Sequence, residues 1–215
     1  MIIYDVEQGS YEWHKCRAGV ITASMFAEIM RRLKSGPNKG DFTTAAKDYA
    51  FRLAVERISG EPLGEGGFST YAMRRGNELE PLARSEHEVQ TGLSVDKAGF
   101  ISTDDRLFGA SADGLIGDDG GAEYKCFIAP DKLRPILFDG DTSDVDPQIQ
   151  GGLWLTGRTW WHLGLYCPAL ESAGRQLTVI ERHRDEAFIT EMEDSLIQFN
   201  DLVEEIKHKI TTREQ

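Results

Sequence analysis

Apolar positions along the chain fall into two periodicities. Val95 to Ser102 and Phe108 to Ala110 are apolar and β-branched enough, and short enough, to be strands. Asp118-Asp119-Gly120-Gly121 carries a turn signal, and Ala122 to Cys126 reads as the strand that returns from it. Trp160 to Cys167 alternates with aromatic weight, and Leu177 to Ile180 is a further short run. Helical spacing appears elsewhere. Thr22 is an N-cap candidate, with Met25, Phe26, Ile29, Met30 and Leu33 after it on one face. Ala72 to Gln90 reads as one long helix containing Gly76 and Pro81, and Asp131 to Leu137 as a short one. Between Asp185 and Lys209, the residues Phe188, Met192, Leu196, Phe199, Val203 and Ile206 predict an amphipathic helix covering one face of the sheet. The class is α/β, with a mixed central sheet flanked by helices. Arg31 to Phe42 and Gly60 to Ser69 are rich in breakers and read as loops.

A chain of 215 residues with no internal repeat and no dividing linker is expected to form one domain, 1–215. No apolar run is long enough to span a membrane, and Met1 to Val6 lacks the character of a secretory signal. Cys16, Cys126 and Cys167 are scattered, which fits reduced thiols in a cytoplasmic protein and no iron–sulfur cluster. No Cys/His set has zinc spacing, and His14 and His87 read as surface or structural residues.

The chemistry concentrates near Ser111-Ala112-Asp113-Gly114, followed at residue 123 by Glu123-Tyr124-Lys125. Side chains alternate along a strand, so Glu123 and Lys125 share a face and Tyr124 takes the other. A tight reversal brings Asp113 beside Glu123. Two carboxylates a few ångströms apart repel unless a cation lies between them. Hard oxygen ligands with a nearby ammonium suit Mg²⁺-assisted phosphodiester hydrolysis. Ser24, at the start of the helix after Thr22, has free backbone N–H groups around it that favour an anion, and Arg17 can add a bidentate guanidinium.

Three further segments accompany this pattern. Trp13 to Ser24 contains Arg-x-Gly-x-Ile-Thr-Ala-Ser, Arg74 to Arg84 contains Gly-x-x-x-Glu, and Gln148-Ile149-Gln150 precedes Trp154. In this order, over about Val6 to Glu181, the chain resembles the lambda-type exonucleases of phage recombination, members of the PD-(D/E)xK nuclease superfamily. The resemblance implies metal ligation by Asp113, Glu123, Glu80 and the Tyr124 carbonyl, with Lys125 as the catalytic lysine. It implies that Arg17, Ser24, Ser111 and Gln148 hold the 5′-phosphate. Ala112 replaces the proline of the superfamily motif, Arg75 stands where lambda-type enzymes carry tryptophan, and Gly151-Gly152 weakens a helix beside Gln148, leaving Gln150 a rival for its place.

The formal charge of −12 stands against a DNA enzyme. Bases nevertheless gather between residues 13 and 57, and acids at Asp139 to Asp146 and from Glu181 onward, so a local basic wall is expected. Arg31, Arg32, Lys34 and Lys39, on the loop after the phosphate-binding helix, are expected to touch DNA. The family's toroidal homotrimer, which encircles its substrate, also needs less electrostatic attraction. The expectation is a Mg²⁺-dependent 5′-to-3′ exonuclease (Mn²⁺ substituting) acting on ends of linear double-stranded DNA. It would release mononucleotides and leave a 3′ single strand for a single-strand annealing recombination protein, in the cytoplasm of a bacterium carrying the phage or prophage. Leu63 or Phe68 is a candidate wedge between strands. The rivals are a structure-specific or repair endonuclease of the same superfamily, and a DNA-binding protein without catalysis.

Overall fold

The structure is a computed structural model that describes residues 1–63, 71–127 and 130–212. In chain order its first elements are β1 (Ile2–Tyr4), α1 (Tyr11–Arg17), β2 (Ile21–Thr22), α2 (Phe26–Met30), α3 (Thr44–Ser59) and α4 (Tyr71–Thr91). Then come β3 (Phe100–Ser102), β4 (Phe108–Ala110), β5 (Gly114–Ile116), β6 (Gly120–Cys126) and α5 (Pro130–Asp139). The last are α6 (Asp146–Thr156), β7 (Trp160–Tyr166), β8 (Leu177–His183) and α7 (Glu186–Thr211). The chain divides into two compact units. The first holds Met1–Gly66, Gly99–Ser111 and Asp185–Gln215; the second holds Gly67–Ala98 and Ala112–Arg184. The strands accordingly divide between two mixed four-stranded sheets.

In the first unit the strand order is β1-β3-β4-β2, with β2 parallel to β4 and the other pairs antiparallel. Ser10 caps α1 by accepting from Trp13 N at 3.1 Å, and Thr43 caps α3 by accepting from Ala46 N at 3.1 Å. The amphipathic C-terminal helix forms as the spacing predicts, capped by Asp185 and burying Ile189, Met192, Leu196, Phe199 and Val203. Its partners differ from the expectation: α7 packs on α2 and α3, not on a sheet face. The small residues Ala46, Ala50 and Ala54 of α3 are buried, and Phe199 stacks on Tyr49 at 5.6 Å. An apolar stripe specifies an apolar partner, whichever kind of element supplies it.

The helix after Thr22 is also shorter than its apolar spacing suggests. A 3₁₀ turn over Ala23–Met25 leads into α2, which stops at Met30, where Arg31 turns extended. Arg32 lies over the Phe42 ring at 4.0 Å and donates to the carbonyl of Ile29 at the end of α2. Leu33 is consequently drawn into the loop, bonded to Asp41 and Gly40, and not onto the helix face.

In the second unit the order is β5-β6-β7-β8, with β6 and β7 parallel. The sheet is covered by α4 and α6, both in contact with β6 and β7. Trp161, Leu163 and Leu165 pack with Ile149, Leu153 and Leu133 in the core. Gly120 and Gly121, read as turn residues, are strand residues instead; the turn is shifted toward Gly117. A Cβ at Gly121 would lie 2.4 Å from the Trp161 ring, and one at Gly120 would lie 2.1 Å from Trp160. The glycines therefore answer to close packing rather than to chain reversal. Gly151 and Gly152 stay helical in α6, both buried, with Gly152 close beneath Trp161. The run Val95 to Ser102 is a strand only from Phe100. Its earlier part belongs to the second unit, where Asp96 bridges to Leu115.

Candidate active site

The β5–β6 hairpin carries out what the spacing of Asp113, Glu123 and Lys125 predicts. Gly114 pairs with Ala122, so Asp113 reaches the level of β6 opposite the residues after Ala122. Its Oδ2 accepts from Tyr124 N at 2.6 Å. Glu123 and Lys125 share a face: Lys125 Nζ donates to Glu123 Oε1 at 2.7 Å and to Gln148 Oε1 at 2.9 Å. Gln148 closes the triangle by donating from Nε2 to Glu123 Oε1 at 2.6 Å. Gln150, its rival, is buried and donates to the carbonyl of His183. Gln148 thus faces the carboxylates and Gln150 does not. Glu80 and Arg84 lie one turn apart on α4, and Arg84 Nη2 bonds both Glu80 Oε1 (2.8 Å) and the Asp113 carbonyl (2.6 Å).

Electrostatics follow from this crowding. Burial, then Glu123 and Glu80, push the Asp113 carboxyl well above the ordinary aspartate range. Burial alone would lower the Lys125 amine, but Glu123 and Asp113 outweigh it and raise the amine above its usual value. Burial, with Asp113 and Glu80, pushes the Cys126 thiol up to about 12, so it stays a thiol.

A divalent cation answers this charge pattern by donor chemistry. Among the described residues, Asp113 Oδ1, Glu123 Oε2 and Glu80 Oε2 carry no hydrogen bond, while their sister oxygens do. Hard carboxylate oxygens of this kind suit Mg²⁺ or Mn²⁺. Among the described residues, however, no three His, Cys, Asp or Glu side chains are gathered closely enough to form a metal-holding group. One oxygen of Glu123 is taken up by Lys125 and Gln148.

On the opposite face of β6, Tyr124 meets a buried chain that sequence reasoning missed. Tyr124 Oη lies 2.9 Å from His87 Nδ1, His87 Nε2 lies 2.8 Å from His162 Nδ1, and His162 Nε2 lies 3.4 Å from Glu181 Oε2. An ionised Glu181 accepts only, which makes His162 Nε2 and His87 Nε2 donors and leaves Tyr124 to donate to His87. Burial, then His162, lowers His87 to about 4, so it is neutral as this order requires. His87 is structural, as the sequence suggests. His162 gave no signal beyond its place in an alternating strand.

The first unit holds a second polar set. Arg17, the last residue of α1, lies 3.9 Å over the Trp13 ring, and Nη1 donates to Ser111 Oγ at 3.3 Å. Trp13 Nε1 donates to the same Oγ at 2.9 Å. Trp13 stands in the first sequence motif; aromatic stacking at i, i+4 on one helix is the signal that marks its contact with Arg17. Gly19 adopts a positive φ of 75° and is clamped: its N–H bonds Glu56 Oε2 and its carbonyl accepts from Arg57 Nε, both at 2.8 Å. This fixes the chain between Arg17 and Ile21, which explains the glycine in that motif. Ser24 is exposed in the 3₁₀ turn, 3.4 Å from Thr22 Oγ1. The short α2 behind it lends a smaller dipole than a longer helix would. A cavity of about 40 Å³ is lined by Arg17, Thr22, Tyr49, Arg52 and Glu56, among others.

The expected basic wall is partly consumed by internal pairs, which sequence cannot show. Lys15 bonds Glu61, Arg31 bonds Glu28, and Arg57 bonds Glu204 and Asn200. Arg32 is spent on Phe42 and the end of α2. Lys34 and Lys39 are exposed on their loop. Of the two wedge candidates, Leu63 is partly exposed with its N–H on Glu56, and Phe68 lies outside the described residues. Cys16, Cys126 and Cys167 are free thiols. No helix among the described residues is long and apolar enough to cross a membrane.

Comparison with known proteins identifies the family. A family model described as the YqaJ-like viral recombinase domain matches residues 12–159. The chain is similar to an alkaline exonuclease, LHK-Exo, from Laribacter hongkongensis: 30% identity over 93% of this chain and 95% of that one, TM-score 0.78. The structure of LHK-Exo in complex with dAMP matches at 31% identity over 93% and 95% of the two chains, TM-score 0.77. A phage related exonuclease from Haemophilus somnus 129PT shares the fold at 17% identity over 89% and 96% of the chains, TM-score 0.67. No curated protein matches the sequence.

Proposed function

The chain belongs to the YqaJ-like viral recombinase domain family and is a nuclease, and from that premise we propose that it is a Mg²⁺-dependent 5′-to-3′ exonuclease acting on linear double-stranded DNA. It degrades the 5′-phosphorylated strand to mononucleotides and leaves a 3′ single strand. The observation that carries this reading is the Asp113–Glu123–Lys125–Gln148 cluster on one hairpin and one helix, with Glu80 and Arg84 beside Asp113.

Asp113, Glu123, Glu80 and the Tyr124 carbonyl would hold Mg²⁺, or Mn²⁺ in its place; when bound, the ion polarises the scissile phosphate and acidifies water. Lys125, kept protonated by Glu123 and Asp113, is a donor to the oxygens on which charge develops. Gln148 orients that ammonium and takes part in the approach of the phosphate. Arg17, Ser111 and Ser24 receive the terminal 5′-phosphate. The Trp13 ring under the guanidinium holds its fork in place, so less freedom is lost on binding. Arg31, Lys34 and Lys39 contribute backbone contacts, and Arg32 supports their loop. LHK-Exo is described with dAMP, the class of product this reaction releases.

The working form is a homotrimer around the duplex, which reconciles a charge of −12 with a DNA substrate. The product strand passes to a single-strand annealing recombination protein in the cytoplasm of a bacterium carrying the phage or prophage. The test is digestion of linear duplex DNA bearing a 5′-phosphate on one strand only. Mg²⁺-dependent loss of that strand, with its complement intact, supports the reading. Internal cuts would move the protein to the endonuclease class.

A further inference from the structure

Arg84 is the cation of the carboxylate cluster that no sequence pattern marks. It lies four residues after Glu80 on α4, and a single nitrogen, Nη2, serves two acceptors: Glu80 Oε1 and the backbone carbonyl of Asp113. That nitrogen ties a helix to the start of a hairpin, and each element brings one carboxylate. The side chain is 13% exposed. Its other nitrogens, Nε and Nη1, are buried and make no hydrogen bond among the described residues. Shielded donors of this sort are not placed to meet a phosphate from solvent, and leaving them unsatisfied is unfavourable. The guanidinium is therefore held where it is by what Nη2 does.

We infer that Arg84 is a positioning residue for the metal site. By taking one oxygen of Glu80 and the main chain of Asp113, it presents Glu80 Oε2 and Asp113 Oδ1 together to a divalent cation. The inference rests on the reading of these carboxylates as metal ligands. Charge and positioning predict opposite signs, which makes the idea testable. Removing a cation beside a metal site tightens metal binding by Coulomb's law alone. Removing the group that orients the ligands weakens it, typically about 10- to 100-fold.

The experiment is calorimetric titration of Mn²⁺ into the metal-free full-length protein, for wild type, Arg84→Met and Arg84→Lys, with thermal melts alongside. The expected result is binding at least about tenfold weaker in Arg84→Met, with an intermediate value for Arg84→Lys. In turnover, the Mg²⁺ concentration for half-maximal rate should rise while the KM for DNA stays near wild type. Unchanged or tighter Mn²⁺ binding by a cooperatively melting Arg84→Met overturns the inference. Where Arg84→Met does not melt cooperatively, Arg84→Gln carries the same comparison with the same two outcomes. Absence of Mn²⁺ binding by wild type is a different failure: it removes the metal-site reading itself, and the inference with it.

Discussion

The two units solve opposite electrostatic problems with the same means, a cation held by its neighbours. On the proposed reading the first unit receives an anion, and the chain offers donors: Arg17 stacked on Trp13, with Ser111 bonded to both. On the same reading the second unit receives a cation, and the chain offers crowded acceptors: Asp113, Glu123 and Glu80, moderated by Lys125 and Arg84. The donor set is half-buried and preorganised by an aromatic ring, so it costs little when empty. The acceptor set is crowded: burial, Glu123 and Glu80 raise the Asp113 carboxyl by more than Lys125 lowers it. Recognition and chemistry are thereby distinguishable by mutation.

The largest effect expected is on the chemical step. Lys125→Ala should lower the cleavage rate by roughly 10²- to 10⁴-fold while DNA-end binding stays near wild type, measured by gel assay and fluorescence anisotropy. Loss of end binding in that variant would erase the contrast between the units. A smaller effect concerns the crowding of the buried carboxylates. Because burial and like charge penalise the Asp113 carboxylate in the folded state, Asp113→Asn should raise the melting temperature of the metal-free protein. A gain of about 1 kcal/mol corresponds to roughly 2–4 °C for a chain of this size. The same variant should lose activity and lose stabilisation by added Mg²⁺. A lower melting temperature would mean the carboxylate is not penalised.

A further effect is a pH dependence in the second unit. His87 in the folded protein titrates near 4, below its unfolded value near 6.5, so folding resists its protonation. Above about pH 6.5 it contributes no slope. As pH falls from about 6.5 toward 4, the unfolded chain takes up a proton that the folded chain does not, and stability declines. His87→Gln should flatten the melting temperature over that window relative to wild type. An unchanged slope would place the acid sensitivity elsewhere.

What the sequence made legible, and what it hid, divides along physical lines. The hairpin that carries Asp113, Glu123 and Lys125 was readable because alternation along a strand is local geometry. The helix α7 was readable from its stripe, but its partner was not, since an apolar face does not encode whether a helix or a sheet covers it. The Gly120-Gly121 pair misled because glycine serves both reversal and close packing, and the demand came from Trp160 and Trp161, some 40 residues later in the chain. The run from Val95 misled because it passes from one unit into the other. The PD-(D/E)xK class and the family were legible from ordered motifs. The partners were not: Arg84 beside Asp113 and Gln148 between Glu123 and Lys125 are contacts between residues distant in sequence. The clustering of bases between residues 13 and 57 overstated the basic wall for the same reason, since Lys15, Arg31, Arg32 and Arg57 all make bonds within the fold.

The most direct test of the division of labour is the cleavage rate of Arg17→Ala on two duplexes that differ in one group, a 5′-phosphate against a 5′-hydroxyl, at saturating Mg²⁺. The account predicts that wild type prefers the phosphorylated end and that Arg17→Ala loses most of that preference, by about 1.5–3 kcal/mol for a charge-assisted contact, or roughly 10- to 150-fold, while its rate on the hydroxyl end changes little. Equal losses on both ends would contradict it, and would show that Arg17 serves the structure or the chemistry rather than the recognition of the end.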